Sequence, residues 1–425
     1  MWTAFALPQR KLVRVAFAVG CIAAAALYVW FAVRDYRASR LSSSLDVVSL
    51  QRSLALEPRD AAHQDLLCRF LLFDRQDASA ALPFCQRATE LDPYQSAYWL
   101  HLALAYYRTG AEAEQQAAIL KAVSVDPTTP DVAWEAANFF RLQGKIPEAL
   151  HQYSVVMRGD PNLVTPSLDQ CWRALHDVDA IEAILPPDPE VYLQFVKLLI
   201  SKHEWEAAHR VWSALLQLNR EFDYHKALFY VDGLLQERKV ARAREVWDQL
   251  ASRTTTLSHY NSTDDLVIDG DFSKEILNAG FDWRYATQPG NAVSLDTTEF
   301  HTGNRSLLIS YSDSGGDSGM YEYVAVKPNT QYMVSAWVKS EELQAANGPR
   351  ISVSDAYNSK LFALTEETIG TTPWHRLEAS FQTGPETELL AIRFTRDPAN
   401  TRIQGQFWID DVSLRPSGKP SQSVQ

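Results

Sequence analysis

The sequence predicts a multidomain α plus β protein: one membrane-spanning helix, an array of helical hairpins, and an antiparallel β-sandwich. Three observations carry that reading. Residues 15–33, between Arg14 and Arg34, hold no charge; Asp-Pro recurs at a fixed step in the first half; and short alternating segments fill the chain after residue 265. A length of 425 residues suits two or three modules. An apolar share of 46% with 22% charged residues excludes a wholly disordered chain and a polytopic membrane protein. The formal charge of -12, without a basic run, argues against a nucleic-acid partner. Cys21, Cys68, Cys85 and Cys171 are too few for a disulfide scaffold and lack the short paired spacing of a zinc site.

As a helix, the 19 residues of 15–33 match a hydrocarbon core of about 30 Å. A cleaved signal peptide competes, because residues 23–26 are all alanine. The apolar run nevertheless continues through Leu27, Val29, Trp30, Phe31 and Val33, so cleavage there would stop inside the span. A lipoprotein reading of Cys21 fails in the same way. The expectation is an uncleaved anchor behind a short cytoplasmic tail, 1–14. Arg10, Lys11 and Arg14 before the span are balanced by Arg34, Arg37 and Arg40 after it, so positive charge does not set the orientation.

Asp92-Pro93, Asp126-Pro127 and Asp160-Pro161 stand 34 residues apart, and Gly110 with Gly144, Tyr106 with Phe140, and Ala103 with Ala137 keep that step. A step of 35 relates Ala208, Trp212 and Leu215 to Ala243, Trp247 and Leu250. This pattern resembles the tetratricopeptide repeat, a helix-turn-helix unit that buries its face only against its neighbours. The resemblance implies an α-solenoid of five or six hairpins over 45–253, broken near 161–189 by Pro166, Pro186 and Pro187. It also implies a groove for protein partners, while Trp99, Trp134, Trp205, Trp212 and Trp247 read as core. By the same resemblance Cys68 and Cys85 face one another across the first hairpin, where a disulfide and two buried free thiols both remain open.

Only five of the 17 glycines precede Gly270, and 254–265 is polar, rich in Thr and Ser, and reads as a linker. Strands are expected at 306–311, 321–326, 331–339, 351–357, 376–382, 389–395 and 406–414, enough for one sandwich over 266–416 before a tail, 417–425. Ile268-Asp269-Gly270-Asp271-Phe272, Gly303-Asn304-Arg305-Ser306-Leu307, Lys327-Pro328-Asn329-Thr330-Gln331-Tyr332 and Trp408-Ile409-Asp410-Asp411-Val412-Ser413-Leu414 occur in order along it. They resemble the jelly-roll carbohydrate-binding modules of families four, nine and twenty-two.

That resemblance implies a polysaccharide or oligosaccharide ligand outside the cytoplasm, and so a cytoplasmic N-terminus. Aromatic rings offer flat apolar faces to the C–H faces of a sugar. Strand alternation turns Trp337 away from Val334 and Ala336; Trp337, Tyr321, Tyr323 and Tyr357 are the candidate platform, with Arg393 as a hydroxyl donor. Trp283 and Trp408 read as packing. The family's structural calcium would draw on Asp271, Asp410 and Asp411, although Ser273 stands where an acid is usual.

Gly316-Asp317-Ser318-Gly319 reads as a turn, because no two-barrel protease domain surrounds it. His203 and His209, six apart, share no helix face for zinc, and no phosphate-binding Gly-rich loop is present. The expected protein is a non-catalytic scaffold in the bacterial inner membrane, with its bulk in the periplasm. It binds envelope polysaccharide or exopolysaccharide and recruits envelope proteins through its repeats. The alternative is a purely protein-binding scaffold of an assembly or export complex.

Overall fold

The computed structural model describes residues 11–44, 46–253, 257, 265–286, 289–399 and 401–417. The tail at 1–10, the linker positions 254–256 and 258–264, and the tail at 418–425 lie outside the described residues. The chain divides into two compact units, Met1–Leu218 and Asn219–Gln425.

In the first unit, α1 (Lys11–Ser42) carries the predicted span and continues unbroken past it. The stretch Arg14–Ser42 is long and apolar enough to cross a membrane, and its most apolar window is unburied. Beyond the span the helix packs on α2 (Val47–Leu56), burying Ala38 and Leu50. Ser53 Oγ donates to the Ala38 carbonyl at 2.8 Å, and Arg34 forks onto the Glu57 carboxylate at 2.6 and 2.9 Å. One helix is thus both the candidate anchor and half of the first hairpin.

Five further pairs follow: α3 (Ala61–Phe73) with α4 (Ala78–Leu91), α5 (Ser96–Thr109) with α6 (Glu112–Val125), α7 (Pro130–Leu142) with α8 (Ile146–Gly159), α9 (Val164–Leu175) with α10 (Val178–Glu182), and α11 (Pro189–Ser201) with α12 (Trp205–Gln217). The recurring Asp-Pro has a physical cause. Asp92, Asp126 and Asp160 each cap the C-terminus of a second helix. Each side chain then accepts the amide two residues on, from Tyr94, Thr128 and Asn162, while the proline blocks further helix. Gly110 and Gly144 end the first helices in the left-handed conformation, at φ 78° and 70°. Asp60 and Asp77 cap α3 and α4. The expected break is the five-residue α10. Cys68 and Cys85 form a disulfide between α3 and α4 across a Cα separation of 5.2 Å, with the small Ala81 and Ala88 buried beside them.

The second unit opens with the hairpin α13 (Leu228–Gln236) and α14 (Val240–Arg253) and closes with nine strands. These are β1 (Asn291–Asp296), β2 (Ser306–Gly315), β3 (Tyr321–Ala325), β4 (Gln331–Ala345), β5 (Arg350–Asp355), β6 (Leu361–Leu364), β7 (Gly370–Gln382), β8 (Leu389–Thr395) and β9 (Arg402–Pro416). They form a five-stranded sheet, β1-β2-β9-β4-β7, and a four-stranded one, β3-β8-β5-β6, with every pairing antiparallel. Alternation sends Leu307, Ile309, Val334, Ala336, Val338, Phe407 and Ile409 inward against Ile351, Val353, Leu390, Ile392 and Phe394. All seven predicted strands are present. The strands β1 and β6 are not among those predicted. One boundary differs with consequence: β5 ends at Asp355, so Tyr357 lies in the following turn rather than in register with Ile351 and Val353.

Candidate functional site

The candidate sugar-binding residues fall on two different outer faces. Tyr321 and Tyr323 point outward from β3, Arg393 from β8, and Tyr357 stands in the turn after β5, all on the four-stranded side. Trp337 points outward from β4, on the five-stranded side. A sandwich has two outward faces, and periodicity within a strand does not say which sheet the strand joins, so this separation is a finding of the folded module.

On the four-stranded face the tyrosines and arginines are already engaged. The Arg393 guanidinium lies 4.6 Å from the centroid of the Tyr321 ring, and Tyr321 packs edge-on against Tyr323 at 5.1 Å. Arg284 sits over Tyr323 and also pairs with Asp232 of α13. Tyr357 Oη donates to the Leu235 carbonyl at the end of α13 at 2.7 Å, with Arg238 over its ring. Desolvation there pushes the Tyr357 phenol up to about 12. Leu389 and Ala391 point away from the sandwich core, yet each is only 1% exposed.

The hairpin is fixed at its other end by Trp247 of α14, fully buried and packed edge-on to Phe281. Gly280 fits beneath it: at φ 63°, a Cβ there would meet the indole at 2.4 Å. Asp232 also accepts the Gly280 amide at 2.8 Å. A cleft of about 610 Å³ remains beside this contact, lined by Val240, Arg244, Val326, Lys327 and Glu388 among others.

The five-stranded face is built differently. Trp337 stacks on His301 at 3.9 Å, and Trp374 of β7 lies 5.8 Å from the same imidazole. Trp408, 3% exposed, is covered by Lys339, whose ammonium pairs with Glu299 at 2.6 Å. Strand alternation does not single out His301 or Trp374. Trp374 lies in the part of β7 that extends before the predicted strand, and His301 belongs to a turn.

Asp271 and Asp411 line one cleft, while Asp410 is taken up by backbone amides. Asp410 accepts the amides of His301, Thr302 and Asp411, and Asp411 holds the His301 ring and the Thr302 hydroxyl, so this pair ties the 301–302 turn to β9. Asp271 lines a cleft of about 290 Å³ with Asp269 and Asp411, but Lys274 reaches Asp269 there at 3.4 Å and supplies a positive charge. Among the described residues no group of three or more His, Cys, Asp or Glu is placed to hold a metal ion.

Deeper in the module, Asp282 and Glu322 are fully buried. Each accepts one amide, from Leu277 and Ile268, and keeps one oxygen without a described partner. Burial raises Asp282 to about 8, Glu322 well above the usual carboxylate range, and the neighbouring Asp269 to about 6. Ser318 donates its hydroxyl to the Phe394 carbonyl at 3.0 Å.

Two facing antiparallel sheets of this topology, closed over one apolar core, make the C-terminal module a jelly-roll sandwich. Residues 264–401 match the family model of the four-and-nine carbohydrate binding domain, and the helical region lies outside the match. Similar solved structures include "CBM4 structure and function", at 13% identity over 36% of this chain and 99% of that one, with a TM-score of 0.28. The CBM22-1 xylan-binding domain of Paenibacillus barcinonensis Xyn10C is 14% identical over 37% and 97%, with a TM-score of 0.26. TmCBM61, solved with β-1,4-galactotriose, is 20% identical over 37% and 99%, with a TM-score of 0.26. No curated protein matches the chain.

Proposed function

We propose that this chain is a non-catalytic, membrane-anchored scaffold whose C-terminal module binds envelope polysaccharide or exopolysaccharide and whose tetratricopeptide-like hairpins recruit envelope proteins. The match of 264–401 to a carbohydrate binding domain carries the reading. The apolar helix supports the anchor, in a bacterial inner membrane with the N-terminus cytoplasmic and the bulk periplasmic. The Cys68–Cys85 disulfide supports the compartment, since such bonds persist where the surroundings are oxidising.

The test is twofold. A reporter fused after Gln425 should be active outside the cytoplasm and remain with the membrane; a soluble product shortened through the apolar run overturns the anchor. The full chain should bind at least one polysaccharide on a glycan array, with or without a chelator. Silence against every glycan favours the purely protein-binding scaffold.

A further inference from the structure

We propose that the first helical hairpin docks on the bilayer surface, where Arg37 of α1 and Arg59 of the turn between α2 and α3 bind the phosphates of anionic phospholipids. This rests on the anchor reading above and adds what the outer end of the anchor touches. The level of the bilayer surface is marked on α1 itself. The uncharged run ends at Val33, so Arg34 stands where hydrocarbon gives way to headgroups. Its guanidinium lies 5.1 and 4.9 Å from the ring centroids of Trp30 and Phe31, and aromatic rings collect at that depth.

The helix α2 runs back along α1 toward this level. Ser53 meets Ala38, and Glu57, further along α2, meets Arg34, which comes earlier on α1, so the two helices are antiparallel. The far end of the hairpin, at Ser42, stands about 12 Å above Arg34, whereas the turn beginning at Glu57 is brought down to it. Pro58 and Arg59 are exposed in that turn, and Arg37 is exposed on α1 about 4.5 Å above Arg34. Neither Arg37 nor Arg59 makes a side-chain hydrogen bond or ion pair with a described residue. Of the acids beside them in the chain, Glu57 is held by Arg34, and Asp60 accepts the amides of Ala62 and His63. Asp35 alone opposes the two arginines without a described partner. A guanidinium forks onto phosphate oxygens, and an anionic lipid presents them without the cation that a choline headgroup carries. Because Ala38, Leu50 and Ser53 are buried between α1 and α2, a grip at the turn fixes the tilt of the hairpin together with that of the span.

Native mass spectrometry of the detergent-solubilised full chain tests this, with phosphatidylglycerol or phosphatidylcholine added. The wild type should retain phosphatidylglycerol in preference to phosphatidylcholine. The double variant Arg37→Gln/Arg59→Gln should lose roughly fivefold in phosphatidylglycerol affinity for each arginine, about twentyfold together, with an unchanged melting temperature. Arg210→Gln, on α12, should bind as the wild type does. If the double variant misfolds, Arg59→Gln alone supplies the same test at roughly fivefold. Equal retention of the two lipids by the wild type overturns the proposal, as does undiminished retention by a folded double variant or an equal loss in Arg210→Gln; each of these leaves the anchor standing. An intact mass shortened through the apolar run removes the anchor reading itself, and this inference with it.

Discussion

The two outer faces of the sandwich are built by the same strand alternation and put to different uses. On the four-stranded side, Tyr357 bonds the Leu235 carbonyl of α13, Arg284 pairs with Asp232, and even the small Ala391 is buried. On the five-stranded face, Gln344, Gln404, Gln406 and Glu341 stand in solvent with their hydrogen-bonding capacity unspent on described residues. An aromatic, arginine-bearing surface can serve a helix of its own chain as well as a ligand. Tyr and Arg suit both tasks, since each combines a large apolar body with donors at its end.

The largest expected effect breaks the covered face at its anchor. Trp247→Ala deletes a fully buried indole and should cost about 3–5 kcal/mol in urea unfolding. If the hairpin and sandwich are one unit, one transition moves as a whole. An early, separate loss of helix with an unmoved sandwich transition would show that the face is covered only loosely.

Protonation comes next. Asp269 and Asp282 are raised in the folded state to about 6 and about 8, against ordinary values of 3.8. The folded module holds protons that the unfolded chain releases, so their contribution to stability is complete below about pH 4. It is lost as pH rises through about 6 and then about 8. Melting should therefore occur at lower temperature at pH 9 than at pH 5. Asp282→Asn, which can still accept the Leu277 amide, should narrow that difference by roughly 5 °C. A variant whose pH dependence parallels the wild type would assign the effect to other groups.

Tyr357→Phe removes only the hydroxyl that reaches Leu235, and a loss of about 1 kcal/mol in the same unfolding assay is expected. No loss would mean that water replaces the contact and that this edge of the hairpin is dispensable. The smallest effect belongs to the open face. Gln404→Ala/Gln406→Ala should stay within about 0.5 kcal/mol of the wild type in stability, since neither side chain is packed. A larger change would show that these amides serve the sheet.

Local and periodic features are legible in the amino-acid sequence alone. The uncharged run of α1, the Asp-Pro spacing with its capping chemistry, and the alternation of β2, β4, β8 and β9 each depend on neighbours within a few residues. Burial of Trp212, Trp247, Trp283 and Trp408 follows from the same patterns, whereas Trp99, Trp134 and Trp205, read as core in the same way, are half-buried. The resemblance to the tetratricopeptide repeat aligns Cys68 with Cys85 while leaving bridge and free thiols equally open, and the tertiary fold supplies the pairing.

Which sheet each strand joins, and therefore that Trp337 and Tyr321 face opposite ways, is decided by pairings between segments far apart in the chain. The docking of α13 and α14 on the four-stranded sheet is decided in the same way. Periodicity assigns a residue to a face of its own strand or helix, but only the packed chain determines what that face meets. For that reason Tyr357, Asp232 and Gly280 acquire their roles from Leu235, Arg284 and Trp247, residues that no local pattern connects to them.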